Sequence, residues 1–144
     1  MPLYQTSKDR GNETSALDKL IANMGIGSYE QVEDITAPVD AYLISEPGDR
    51  VALVEIKTRT NHMRDYGTLI IDKSKVDSLI AEAQSQAMVP VLLVQWADKT
   101  AMLDVAAYAP EAEVAKGGRY DRNDPNDIDD VYHFDIDLFE VIDG

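Results

Sequence analysis

Three side chains, Asp40, Glu55 and Lys57, have the types and spacing that could do chemistry together. They lie in the stretch Pro38–Arg59, which reads as two apolar segments folded about Glu46-Pro47-Gly48-Asp49, a group rich in turn formers. A hairpin with a two- or four-residue loop centred on Pro47-Gly48 makes Glu46 face Asp49, Tyr42 face Leu53 and Asp40 face Glu55. Strand side chains alternate between faces, so Asp40, Glu55 and Lys57 project to one side. Cross-strand neighbours have Cβ atoms ~4.5–5.5 Å apart, close enough for two carboxylates to grip one divalent cation. Two like charges held that close repel unless a cation or a proton is shared between them. With the Lys57 ammonium beside them, the three outline a metal site.

The elements that must hold this group follow from periodicity. From Asn12, the residues Ala16, Leu17, Leu20, Ile21 and Met24 recur at helical spacing, and Gly25 supplies a stop. Glu13 precedes Leu17 by four residues and Leu20 by seven, which puts it on the buried side of that helix. A carboxylate there is costly without a partner. It either bends to water in a first turn where the helix dipole favours it, or serves the site. Tyr29–Ile35 alternates weakly as a strand, Thr60–Gly67 is a polar loop, and Thr68–Asp72 is a short strand. A second helix is expected to start at Ser74 as N-cap, with Asp77 three residues on, and to bury Val76, Leu79, Ile80, Ala83 and Ala87. Val89–Trp96 is the most continuous apolar run and reads as a strand buried on both faces. A turn at Ala97–Thr100 leads to a strand near Ala101–Ala106. Ala109–Asn126 is loop-rich, and Val131–Ile142 reads as one or two edge strands carrying exposed acids.

Composition narrows the chemistry. A chain of 144 residues is one domain's worth, with an ordinary apolar fraction of 44%. It contains no cysteine, which excludes disulfides and thiolate chemistry, and its two histidines, His62 and His133, form no metal-binding pattern. A metal must then rest on oxygen ligands, favouring Mg²⁺ or Mn²⁺ over Zn²⁺. No apolar signal core or membrane span is visible, so a cytoplasmic protein is expected. The net charge of −14 argues against nonspecific binding to polyanions. Yet the charge is uneven. Residues 50–75 hold six basic groups (Arg50, Lys57, Arg59, Arg64, Lys73, Lys75) against three acids, whereas residues 121–144 hold nine acids against Arg122 alone.

The order helix, strand, hairpin, strand, helix, strand, strand resembles the PD-(D/E)XK nuclease superfamily. Pro38-Val39-Asp40 is similar to that family's P-D element with one residue inserted, and Glu55-Ile56-Lys57 to its E-x-K. Glu13 resembles the extra acid that archaeal Holliday-junction resolvase-like nucleases carry in the helix before their first strand. The likeness spans about residues 11–105 and leaves an acidic extension at 106–144. It implies an α/β fold: a mixed central β-sheet flanked by helices, with a restriction-endonuclease-like αβββαβ core and a C-terminal β extension. It also implies that Asp40, Glu55 and the Ile56 carbonyl, with Glu13, hold Mg²⁺, and that Lys57 serves the attacking water and the scissile phosphate. The plainer reading makes Asp40 and Glu55 ordinary strand residues with Lys57 their ion partner.

Around this core, Lys73 and Lys75 flank the start of the second helix, where the dipole disfavours cations. A phosphate docked there would explain them, as would simple solvation after a strand. Arg59 and Arg64 are further candidates for DNA-backbone contacts. Trp96 and the tyrosines read as core or sheet edge rather than base-stacking platforms, and His62 as a plain loop residue. The leading expectation is a Mg²⁺-dependent DNA endonuclease acting on branched or junction DNA, as a homodimer if two symmetric cuts are made. The alternative, motivated by the charge, is an acidic interaction module or DNA mimic without catalytic activity. A nuclease fold that binds DNA without cutting it is a third reading.

Overall fold

The chain's most apolar runs lie side by side at the centre of one sheet. In a computed structural model the described residues are 7–32, 39–118 and 128–143, with side chains described except at 7–14, 116–118 and 128–129. β3 (Arg50–Thr58) and β5 (Val89–Gln95) run parallel, pairing from Ala52 with Val89 to Thr58 with Gln95. Beyond β3 lie β2 (Ala41–Ile44) and β1 (Ser28–Gln31), both antiparallel to their inner neighbours. Beyond β5 lie β6 (Thr100–Asp104) and β9 (Glu140–Asp143), which completes a six-stranded sheet in the order β1-β2-β3-β5-β6-β9. Val91, Leu92, Leu93 and Val94 of β5 are fully buried, as a strand covered on both faces requires.

Each face of β3 has its own cover. Ala16, Leu17 and Leu20 of α1 (Ser7–Met24) pack with Ala41, Leu43, Ala52, Val54 and Ile56. α1 ends at Gly25, whose φ of +68° is the left-handed conformation that closes helices. On the opposite face, Val76, Leu79 and Ala83 of α2 (Lys73–Ser85) pack with Leu53, Leu92 and Val94. That layer also includes a second, antiparallel sheet of β4 (Thr68–Asp72), β8 (Ile128–Asp135) and β7 (Glu113–Gly118), in the order β4-β8-β7.

The hairpin departs from expectation at its tip and recovers within three residues. Ser45 N–H donates to the Asp49 carbonyl at 2.8 Å and Gly48 N–H to the Ser45 carbonyl at 2.9 Å, so the loop is Glu46-Pro47-Gly48, three residues long. Gly48 takes a φ of +101°, the conformation such loops need at their last position. Glu46 therefore does not face Asp49. The register shifts again between Leu43 and Ile44: Ile44 pairs with Arg50 but Leu43 pairs with Ala52, leaving Val51 as the extra residue of a bulge. From there inward Tyr42 faces Leu53, as the sequence suggests.

Other expectations are corrected: α1 begins at Ser7 and not Asn12, β7 falls within the stretch read as loop, and Ala87 is exposed beyond the end of α2. α2 begins at Lys73, its N-cap is Asp72, and Ser74 lies inside the helix. Asp77 does not close a capping box, because its carboxylate is engaged by Lys73 Nζ at 2.6 Å and Tyr132 Oη at 2.7 Å. β6 stops at Asp104, whose Oδ1 accepts from Ala106 N–H and Ala107 N–H and so starts the short helix α3 (Val105–Tyr108). Finally, the acidic C-terminal segment is not only edge. β9 is an edge strand, but β8 is the central strand of the second sheet and buries Tyr132 and Phe134 in the main core. Its acids, Asp129, Asp130 and Asp135, sit at the two ends of the strand, which hides its central position from a reading of charge. Among the described residues no helix is long and apolar enough to cross a membrane.

Phe134 is fully buried, so Phe134→Ala is expected to cost ~3–5 kcal/mol. Urea unfolding should show this as a lower midpoint; a C-terminal segment lying loosely on the surface would leave the midpoint unchanged.

Candidate active site

β2 begins at Ala41, and at the residue before it a side chain joins the main chain in bonding to β3. Asp40 Oδ2 accepts the Ile56 N–H at 2.7 Å, while Asp40 N–H donates to the Val54 carbonyl at 2.9 Å. The carboxylate is thereby fixed against the flank of β3. Within a strand the N–H and C=O of one residue point to the same side, so the Ile56 carbonyl emerges on the side of Asp40.

Glu55 and Lys57 alternate with Ile56 and lie on the face of β3 covered by α2. Lys57 Nζ stands 3.2 Å from Glu55 Oε1, with only 20% and 15% of the two side chains exposed. Lys75, from the first turn of α2, brings its Nζ to 3.9 Å from the same oxygen. Burial raises the pKa of Glu55 above the ordinary carboxylate value, and the Asp40 charge raises it further, against the pull of Lys57 and Lys75. Burial likewise lowers the pKa of Lys57; Glu55 opposes this and Lys75 adds to it.

The structure thus brings Asp40, Glu55, Lys57 and Lys75 together. Among the described residues no three His, Asp or Glu side chains converge as a metal-binding group, so the acids here are a pair. Glu13 lies in α1, which packs on the other face of β3, and its side chain is outside the described residues. Arg59 continues the face of Glu55 and Lys57: its N–H donates to the Gln95 carbonyl at 2.8 Å and its guanidinium to the Ile70 carbonyl at 3.3 Å. Arg64 and Lys73 are directed elsewhere. Arg64 pairs with Asp137 at 2.8 Å on the surface, and Lys73 pairs with Asp77 and lies over the Tyr132 ring. His62 pairs with Asp65 in its own loop. Trp96 is core, edge-on to Phe139, but Tyr66 is 67% exposed and belongs to neither core nor sheet.

Sequence reasoning grouped Lys73 with Lys75 as one phosphate site. The four-residue spacing of Lys73 and Asp77, a favourable pair on any helix, was the local signal that separates them.

The chain matches a family model described as "Phage putative PDDEXK endonuclease" over residues 1–142. It belongs to this endonuclease family. PD-(D/E)XK nucleases generally use divalent metals. Among solved structures the chain is similar to Hjc of Archaeoglobus fulgidus, a Holliday junction resolvase from an archaeal hyperthermophile. That likeness has a TM-score of 0.53 at 13% identity and covers 87% of this chain and 95% of the other, which establishes a restriction-endonuclease-like fold. Comparison with the curated proteins finds no match.

The charge balance of the site has a consequence for stability. A buried acid with a raised pKa makes the folded protein less stable as pH rises from below 4.5 through that pKa, because the unfolded chain releases its proton first. A buried lysine with a lowered pKa makes the folded protein regain stability as pH rises through its folded pKa toward 10.5. At neutral pH both shifts act against folding. Asp40→Asn keeps an acceptor for Ile56 N–H and removes one charge. In metal-free buffer at pH 7 its Tm is expected to equal or exceed the parent's by ~2–4 °C. A clear fall in Tm would show that Asp40 is an ordinary stabilising strand residue.

Proposed function

We propose that this endonuclease hydrolyses phosphodiester bonds of DNA in a divalent-metal-dependent reaction, with branched or junction DNA as substrate. The observation that carries the reading is the convergence of two carboxylates and two ammoniums on one half-buried flank of β3. An all-oxygen donor set whose members repel one another fits a hard cation. Asp40, Glu55 and the Ile56 carbonyl are the groups that would hold Mg²⁺ (or Mn²⁺), whose chemistry is to lower the pKa of a bound water and offset charge on the phosphate. Glu13 would add to them from α1.

The chain's own groups do the rest. Lys57 Nζ has three donors and directs one at Glu55, which leaves two for the water and the attacked phosphate. The water oxygen bonds to phosphorus and gives up a proton to solvent as one P–O ester bond breaks, the departing oxygen takes a proton from solvent, and Lys57 Nζ stabilises the charge that develops on the phosphoryl oxygens. Lys75, with 54% of its side chain exposed, meets the phosphate from the solvent side. Arg59 holds the backbone beyond the cut. Branched DNA is supported by the resolvase likeness, and two symmetric cuts in a junction imply a homodimer. An acidic DNA mimic would have no use for two ammoniums drawn onto one buried carboxylate.

Asp40→Ala, Glu55→Ala and Lys57→Ala are each expected to reduce Mg²⁺-dependent cleavage by at least ~10³-fold, and Lys75→Ala by ~10–100-fold, with the circular dichroism spectrum retained. The assay is cleavage of duplex, flap and four-way-junction DNA with Mg²⁺, Mn²⁺ or chelator. Cleavage unchanged in the first three variants would sink the proposal. No cleavage under any metal, with tight salt-sensitive binding to a basic protein, would favour the mimic.

A further inference from the structure

At the carboxyl ends of the parallel pair β3 and β5, beside the site just described, lies a cavity of about 410 Å³. Crevices at that end of parallel strands are where open α/β sheets bind ligands, and its volume is within the ~300–1,000 Å³ of small-ligand sites. Buried Met63, Leu69 and Trp96 line it together with Tyr66 and Ile70, which are 67% and 50% exposed. Arg59, Asn61 and His133 add polar groups to this mainly apolar lining.

Arg59 belongs to both places. It lies two residues beyond Lys57 on the same face of β3, ~6.6 Å along the strand, and its guanidinium reaches the Ile70 carbonyl on β4. A DNA strand with its scissile phosphate at Lys57 therefore has a neighbouring nucleotide at the cavity. The apolar lining suits a base and not a phosphate.

Charge points the same way. Of the six cations in residues 50–75, Arg50 is paired with Glu30, Arg64 with Asp137 and Lys73 with Asp77. Lys57 and Lys75 share the single carboxylate of Glu55 and Arg59 extends their face, so of these six only three stand where DNA would meet the site, and they can neutralise few phosphates there. Affinity must come from a contact of another kind. Stacking of a base on an aromatic ring supplies one that no net charge can cancel.

We propose that the cavity walled by Met63, Tyr66, Ile70 and Trp96 takes the base of an unpaired nucleotide next to the scissile phosphate, with Tyr66 as its stacking surface. The proposal rests on the nuclease reading above and gives it a basis for substrate choice. A base inside a continuous duplex must unstack and unpair before it can enter, whereas a base at a branch point or in a single-stranded arm is already available. The cavity selects interrupted over unbroken DNA.

The test uses the full chain and a duplex with single-stranded arms, whose cut position is first mapped with the parent protein and Mg²⁺. Matching DNAs then lack only the base at one nucleotide on either side of the cut. Binding is measured with Lys57→Ala protein, so that the DNA stays whole. Loss of the base at one of the two positions is expected to weaken binding roughly 5- to 100-fold. Adding Tyr66→Ala should weaken binding of the base-containing DNA by a similar factor, leave the abasic DNA unaffected and leave the Tm unchanged; Tyr66→Phe should restore binding. Equal affinity for base-containing and abasic DNA at both positions, or an equal loss on both DNAs with Tyr66→Ala, would overturn the proposal. If the parent protein still cuts while those results hold, the cavity alone loses its role. If the parent cuts no DNA, the nuclease reading falls and this one with it.

Discussion

The hydrogen bond from Ile56 N–H to Asp40 Oδ2 is the contact on which the site depends. Asp40 lies just before β2, where its N–H still donates to the Val54 carbonyl and its carbonyl accepts from Val32 N–H, and the side chain adds the bond that fixes the carboxylate. This one bond sets where a charged group sits relative to the next strand. It uses one carboxylate oxygen on the protein and leaves the other to act. The position then follows from β3, whose pairing with β5 from Ala52 to Thr58 admits no slip without turning Glu55 and Lys57 into the α1 layer.

Such a site is held against its own electrostatics. Burial disfavours the charge on both Glu55 and Lys57, and the neighbours only partly offset it. The apolar layers supply what the charges withhold. Fully buried Leu53, Val54, Leu92 and Val94 surround the charged flank and fix the strands that carry it. A protein selected for stability alone would have apolar residues at Glu55 and Lys57, as β5 has at the matching Leu92 and Val94. Retaining charge there is the physical trace of a function that needs it.

Much of this was legible in the sequence, because the signals were local. Helical spacing with a terminal glycine marks α1, the apolar run marks β5, and Thr68–Asp72 coincides with β4. The facing of Tyr42 and Leu53 was found although the turn was misjudged. A three-residue loop and a bulge at Val51 are two one-residue departures that cancel. Periodicity sees their sum and not either one. What remained hidden was decided by distant partners. Nothing near Asp137 foretells Arg64, 73 residues away, and nothing within β8 foretells β4 and β7 on its two sides. The charge run in the last part of the chain suggests a solvated edge because acids flank the short apolar centre of β8 on both sides.

Those acids also account for the conflict between the net charge and a polyanionic substrate. The −14 is not spread over the surface that matters. Asp137 neutralises Arg64 from the C-terminal segment, Asp77 neutralises Lys73, and Glu30 neutralises Arg50 at the far end of β3 from Lys57. Around Glu55 the opposite holds: two ammoniums approach one carboxylate oxygen, and Arg59 extends the same face. A chain that is acidic overall therefore presents a short basic strip where its carboxylate pair lies. Three cations beside a carboxylate pair make a strip too short to hold DNA by charge alone. A low, local positive charge on an acidic chain favours short, local contact with a polyanion over extended contact along it, which is how a net charge of −14 and a basic strip coexist on one protein.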